Sequence, residues 1–97
     1  MSNNQSGGKK NIGLPSDKTL QQAVKISIKT AKPICFYFYV DSLKGNCSIC
    51  SEGEDKIIFK NSEEHTSPIL HTYKCDNEYI VITDNTVYIL SSSTRVS

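Results

Sequence analysis

The feature that most constrains this chain is an uncharged, apolar run at residues 33–40, PICFYFYV, the longest of its kind in the sequence. Its aromatic and β-branched side chains favour a β-strand over residues 34–40. Side chains of a strand alternate between two faces, so Phe36 and Phe38 point one way while Tyr37 and Tyr39 point the other. The run therefore predicts a strand with two apolar faces, and each face needs a cover.

An amphipathic helix is predicted before this run, from Asp17 to about Thr30, with Ser16 as its N-cap. Pro33 restricts the preceding residue and ends the helix. Ile26 does not fit the helical pattern. The predicted buried face comprises Leu20, Ala23, Val24, Ser27, Ile28 and Ala31. The opposite face carries Lys18, Lys25, Lys29 and Lys32.

Short strand patterns follow the apolar run at residues 47–51, 56–60, about 68–75, 79–82 and 87–90, and residues 61–66 are predicted to form a loop. The pairs Asp76–Asn77 and Asp84–Asn85 suit two-residue hairpin loops, because Asp and Asn tolerate positive φ. The pattern predicts an α+β fold. One N-terminal helix precedes about six short antiparallel strands in a meander or small curled barrel.

The length of 97 residues allows one domain. Residues 1–15 are polar and predicted to form a flexible tail, residues 16–92 the domain, and residues 93–97 a frayed end. So small a domain has a limited core, which oligomerisation commonly supplements.

The net charge of +1 argues against a general nucleic-acid or membrane-surface binder. The N-terminus lacks the apolar segment of a signal peptide, and no run is long enough to span a bilayer. We therefore expect an intracellular, cytoplasmic protein without membrane partners, in which the four cysteines are reduced thiols.

The C-terminal hairpin also sorts into two faces. Its aliphatic set, which the helix is expected to cover, is Ile80, Ile82, Val87 and Ile89. No predicted element covers the opposite face, although uncovered antiparallel faces normally carry polar residues. Tyrosine is common at interfaces, so this face predicts a two-fold homodimer. The alternative is a sheet that curls on itself and leaves the tyrosines at its rim. The predicted interface residues are Cys35, Tyr37, Tyr39, Tyr79, Val81, Tyr88 and Leu90.

The C-x-x-C sequence at Cys47 and Cys50, with His71 and Cys75 downstream, is a weak candidate for a zinc site. If His71 and Cys75 share a strand, they lie about 13 Å apart, too far to bind one ion. The order KPICFYFYV, CSIC and Ser67–Pro68 resembles the strand, redox motif and proline loop of thioredoxin. However, only 17 residues separate Cys50 from Pro68, too few for the intervening helix and strand.

Enzyme signatures are lacking elsewhere, since neither a nucleophile-elbow motif nor a phosphate-binding glycine loop occurs. His65 and His71 are interpreted as solvated surface histidines. No cofactor is expected. The helix lysines could contact phosphates, and exposed strand tyrosines could stack on single-stranded bases, although a basic helix face is often only a solvated one.

The stretches LPSDKTLQQAVKISIKTAKPI, SEEHTSPI and DNEYIVITDNTVYILSS resemble small uncharacterised proteins of large nucleocytoplasmic DNA viruses. The resemblance covers most of residues 14–92, with His65 in place of a tyrosine, and does not involve the cysteines. It implies a virus-encoded protein, in the host cytoplasm or the virion, without catalytic activity.

The sequence therefore predicts a non-enzymatic, homo-oligomeric interaction module. The alternative is a small nucleic-acid-binding protein that uses the helix lysines and strand tyrosines. A redox or zinc protein is the third hypothesis.

Overall fold

In the computed structural model, which describes residues 14–97, helix α1 spans Asp17–Thr30 as the sequence predicts. Ser16 is its N-cap and accepts a hydrogen bond from the Thr19 backbone N–H at 3.2 Å. At the other end, Ala31 adopts a left-handed φ of +59° and donates its N–H to the Ser27 carbonyl. The helix therefore has a defined hydrogen-bonded cap at each end.

The strands form two four-stranded sheets. The first has the order β1-β7-β6-β5, and its strands are β1 (Ile34–Cys35), β5 (Ile69–Cys75), β6 (Glu78–Thr83) and β7 (Val87–Ser91). The second has the order β4-β3-β2-β8, and its strands are β2 (Ser48–Glu52), β3 (Asp55–Asn61), β4 (Glu64–His65) and β8 (Arg95–Val96). Strand β1 pairs parallel to β7 and β8 parallel to β2, whereas the other pairings are antiparallel.

The predicted α+β class is confirmed, and the predicted antiparallel meander is only partly right: β2, β3 and β4 pair antiparallel in succession, as do β5, β6 and β7, but they form two sheets instead of one. Residues 48–65 pair among themselves and with β8, so they form a separate sheet instead of extending the first one. Each sheet also ends in a parallel edge strand that comes from a distant part of the chain. Local sequence patterns carry no information about such long-range pairings.

One core cluster lies between α1 and the first sheet. Its sheet residues are the predicted aliphatic set, which is confirmed: Ile80, Ile82, Val87 and Ile89. Ala23 of α1 meets them, while Leu20 and Ile26 pack at the border. The predicted helix face is partly wrong, because Ile26 packs on this core whereas Val24 and Ile28 are exposed. The fully buried helix residues are small, which lets α1 approach the sheet along that side.

A second core cluster lies between the two sheets. Val81 and Leu90 of the first sheet meet Ile49 and Ile58 of the second. The molecule is therefore layered in the order α1, first sheet, second sheet, with the central strands β6 and β7 buried on both faces.

The predicted strand over residues 34–40 is wrong beyond Cys35. The chain turns at Phe36, whose carbonyl accepts from the Tyr39 N–H at 3.0 Å, and then forms the short helix α2, Tyr39–Leu43. Phe38 enters the cluster between the sheets, and Tyr39 enters the cluster under α1. Because the turn directs the adjacent side chains of Phe38 and Tyr39 to opposite faces of the first sheet, the two rings together close one end of that sheet.

Both chain ends differ from the predicted flexible segments where the structure describes them. Residues 93–97, predicted to fray, contain β8; Thr94 is buried, and the Ser97 N–H donates to the Ile49 carbonyl at 3.0 Å. Backbone pairing with β2 holds this end in place. Pro15, predicted to belong to the tail, is buried, and residues 1–13 lie outside the described residues.

Candidate interaction surfaces

The tyrosine-rich face is covered by the second sheet, so the prediction that nothing in the chain covers it is wrong. Val81 and Leu90 are fully buried, and Tyr79 and Tyr88 are half-buried against the cluster between the sheets. Burial raises the pKa of the Tyr88 hydroxyl, as expected for a phenol removed from water. The seven predicted interface residues therefore do not form one exposed surface.

The residues of the apolar run are distributed differently from the prediction. Tyr39 is buried, and burial raises the pKa of its hydroxyl, with a further contribution from the Glu78 carboxylate. Cys35 is half-buried on β1. Phe36, predicted to be core, is 46 % exposed, because the turn after β1 directs it away from both clusters. Tyr37 is also exposed, and its hydroxyl donates to the Glu64 carboxylate at 2.7 Å.

An exposed apolar surface joins α1 to α2. We define the α1–α2 apolar surface by Leu14, Leu20, Val24, Ile28, Phe36 and Val40. Within it lies a groove of about 310 Å³, lined by Leu14, Pro15, Leu20, Phe36, Tyr39 and Val40. Ile28 is 77 % exposed on the same helix, two turns beyond Leu20. Val24 and Ile28 were predicted to be core residues. Their helical spacing is evident from the sequence, but the rotation of α1 relative to the sheet, which exposes them, is not.

The predicted basic face of α1 is only partly free. The Lys32 ammonium donates to the Thr83 carbonyl at 2.7 Å, so this side chain ties the end of α1 to β6. Lys18, Lys25 and Lys29 are exposed and recur at positions that share one side of a helix. Three of the four predicted lysines therefore remain available to a ligand.

A second concavity lies on the other flank of α1. We define the α1–β5 groove by Lys18, Gln22, Ile26, Tyr73, Lys74 and Cys75, and its volume is about 480 Å³. The rings of Tyr73 and His71 lie 4.2 Å apart between centroids on neighbouring positions of β5. Sequence reasoning left both rings out of every predicted interface; their alternation along the strand was the available signal.

The cysteines and histidines are dispersed. Cys47 is buried in the cluster between the sheets, and burial raises the pKa of its thiol to about 11, opposite to the lowered pKa of a redox-active cysteine. Cys50 is three positions further on, so strand alternation directs it to the other face of β2. His65 and His71 belong to different sheets. Among residues 14–97, no group of three or more His, Cys, Asp or Glu side chains could hold a metal ion.

A buried polar network anchors the start of α1 and was not anticipated from the sequence. The Glu78 carboxylate, 5 % exposed, accepts from the Thr19 hydroxyl at 2.6 Å and from the Ser16 backbone N–H at 3.4 Å. Asp76, in the hairpin loop between β5 and β6, accepts from the Ser16 hydroxyl at 2.9 Å. These hydrogen bonds fix α1 against β6. They therefore also fix the position of α1 in the α1–α2 apolar surface and in the α1–β5 groove.

The sequence matches no protein-family model and no curated protein, and the fold matches no solved structure. The resemblance to small viral proteins therefore stays a prediction. Within residues 14–97, no helix is both long and apolar enough to cross a membrane. The surfaces themselves remain the basis for assigning a function.

Proposed function

We propose that this protein is a non-enzymatic interaction module that forms a two-fold homodimer through the α1–α2 apolar surface. The observation that carries the proposal is the exposure of large apolar side chains at adjoining positions of α1, α2 and the segment before α1. Leu14 is 72 % exposed and Ile28 77 %. Contiguous apolar patches on small proteins are typical of interaction sites.

The α1–α2 apolar surface is complementary to itself. It offers a projecting residue, Ile28, and a groove beside Leu20, and eight residues of helix separate the two by about 12 Å. A two-fold axis passing near Val24 would place Ile28 of each copy over the groove of the other. Such an isologous contact satisfies both grooves at once and closes at two subunits.

Charge favours an antiparallel arrangement of the two α1 helices. The first turn of α1 carries Asp17 and the last turn carries Lys29. A two-fold contact between the helices sets the acidic end of each beside the basic end of the other, and their dipoles then oppose each other favourably. The six residues that define the surface are themselves uncharged, and Lys25, which borders it beside Val24, is long enough to keep its ammonium at the solvated rim of the contact.

We also propose an intracellular setting for this module. Four cysteines are unpaired, including the half-buried Cys35, Cys50 and Cys75. Unpaired thiols are typical of proteins kept in reducing compartments.

Light scattering coupled to size-exclusion chromatography tests the dimer. The expected mass is about twice the chain mass of 10.8 kDa. Ile28→Glu should give a folded monomer, because a buried carboxylate without a partner opposes association. The matched control is Leu70→Glu, since Leu70 is 58 % exposed on β5, outside this surface, and its variant should remain dimeric.

A wild-type protein that stays monomeric throughout a concentration series would contradict the proposal. So would an Ile28→Glu variant with an unchanged dimer mass, because the contact would then lie elsewhere. Circular dichroism of both variants shows that any loss of mass reflects dissociation of folded chains.

A further inference from the structure

The α1–β5 groove exists because α1 covers only part of the first sheet. The helix packs on β1, β6 and β7, and leaves the edge strand β5 beside it. Tyr73 pairs with Ile80 and His71 with Ile82, two residues whose side chains face α1. Since paired residues share a face, both rings lie on the helix side of the sheet, next to the wall that α1 makes.

Two aromatic rings beside the α1–β5 groove are exposed to solvent. The His71 and Tyr73 centroids are 4.2 Å apart with an angle of 46° between the ring planes, and both residues are exposed. Tyr73 is 45 % exposed at the edge of the sheet. Aromatic rings held open in this way are suited to stacking against a planar ligand.

The α1 wall of the groove is basic. Lys18 lies on α1, and Lys25 and Lys29 continue this wall over about 17 Å. Lys74 of β5 pairs with Tyr79 on the opposite face of the sheet, and its ammonium donates to the Asp76 carbonyl at 3.1 Å. The ion pairs described for residues 14–97 involve Lys60 alone, so no carboxylate there neutralises the three α1 lysines at salt-bridge distance. Asp76 at the rim is already hydrogen-bonded to Ser16.

We propose that the α1–β5 groove binds single-stranded nucleic acid, with phosphates on Lys18, Lys25 and Lys29 and an unpaired base stacked on the His71–Tyr73 rings. A basic groove beside an aromatic platform is the arrangement that binds single strands without sequence preference. A duplex would contact the lysines but would keep its bases away from the rings. Lysines without arginine provide charge rather than bidentate base recognition, so the binding is independent of sequence.

This site is independent of the proposed dimer, because it lies on the opposite flank of α1. The dimer contact uses Val24 and Ile28, whereas the groove uses Lys18, Gln22 and Ile26 of the same helix. Failure of either proposal therefore leaves the other standing. In the Ile28→Glu background, Tyr73→Ala should weaken binding by the same factor as in the wild type.

Fluorescence anisotropy of a labelled oligothymidylate of about ten nucleotides tests the site. Affinity should fall as salt rises, and with two to three lysine contacts the slope of log K against log salt should be about −1.4 to −2.1. Tyr73→Ala should weaken binding by about fivefold or more, whereas Tyr73→Phe should retain it, because stacking needs the ring and not the hydroxyl.

The lysine contribution has a matched control. Lys18→Gln should weaken binding and flatten the salt slope by about 0.7. Lys44→Gln removes an exposed lysine that follows α2, outside the groove, and should change neither quantity. Circular dichroism establishes that each variant is folded.

Several outcomes overturn the proposal. Undetectable binding at low salt does so, as does a Tyr73→Ala variant with wild-type affinity. Equal affinity for a duplex of the same length would mean that the phosphates alone are contacted. Equal affinity for an acidic peptide of matched charge would assign the groove and the adjacent β5 edge to a protein partner.

Discussion

Glu78 shows how much a single buried carboxylate contributes to positioning α1. Its partners, Ser16 and Thr19, come from the first turn of the helix, whereas Glu78 itself begins β6. The carboxylate also lies at the helix N-terminus, where the macrodipole favours negative charge. One side chain thus satisfies the helix start and joins two layers of the fold.

Replacing Thr19 with valine preserves its shape but removes a hydroxyl that donates to Glu78 at 2.6 Å. We expect Thr19→Val to lower the free energy of unfolding by about 1–3 kcal/mol, because a buried acceptor loses its donor. Urea denaturation measures the change. Thr30→Val is the control, since the Thr30 hydroxyl is exposed, and its effect should stay within about 0.5 kcal/mol. Equal changes in the free energy of unfolding for the two variants would show that the buried Thr19–Glu78 hydrogen bond contributes no more than the exposed one.

At the scale of elements, α1 shows a clear division between local and tertiary causes. Its start follows from the Ser16 cap and its helical periodicity from the spacing of its apolar residues, and both are visible in the sequence. The rotation that exposes Val24 and Ile28 depends on which side chains can approach β6 and β7 closely. Pattern analysis favoured the larger aliphatic residues, and packing selected Thr19 and Ala23.

Replacement of alanine by glycine should change the free energy of unfolding in opposite directions at the end of α1 and in its interior. Ala31 has a φ of +59°, a conformation that costs alanine more than glycine, so Ala31→Gly should raise the free energy of unfolding by about 0.5–1 kcal/mol. Ala23→Gly, inside the helix, should lower it by about 1 kcal/mol. Thermal denaturation distinguishes the two. Destabilisation by both would contradict the left-handed cap.

At the scale of the whole molecule, one polar cluster ties the chain after β1 to the second sheet. The Glu64 carboxylate accepts from Tyr37 at 2.7 Å and lies 3.3 Å from the Lys60 ammonium, which also meets Asp41. The hydrogen bond from Tyr37, followed by that from Lys60, lowers the pKa of Glu64. The two sheets are therefore joined at this end by surface polar bonds as well as by the core.

This cluster predicts a pH dependence of folding. Because the folded-state pKa of Glu64 lies below its ordinary value of 4.5, the stabilisation is complete above that pH and is lost as pH falls through the lowered pKa. Glu64→Gln should therefore be less stable than the wild type at neutral pH, and the difference should shrink in acid. Glu63→Gln, at the exposed neighbouring position, should match the wild type. Denaturation at several pH values checks this; a constant difference would contradict it.

Local sequence is sufficient to predict α1, its N-cap, the α+β class and the alternation that directs Ile80, Ile82, Val87 and Ile89 toward the helix. These features depend on residues near one another in the chain, where periodicity and capping act. Lys18 was also identified as a candidate phosphate contact, although its aromatic neighbours were not.

The cover of the other face of the first sheet depends on contacts between distant parts of the chain. The second sheet depends on pairings such as Ser48 with Arg95, which are distant in the chain and have no local signature. Once that sheet occupies the tyrosine-rich face, the run at residues 33–40 closes the end of a layered core instead of extending a strand. The exposed surfaces therefore move to the two flanks of α1, because burial is determined by which layers meet.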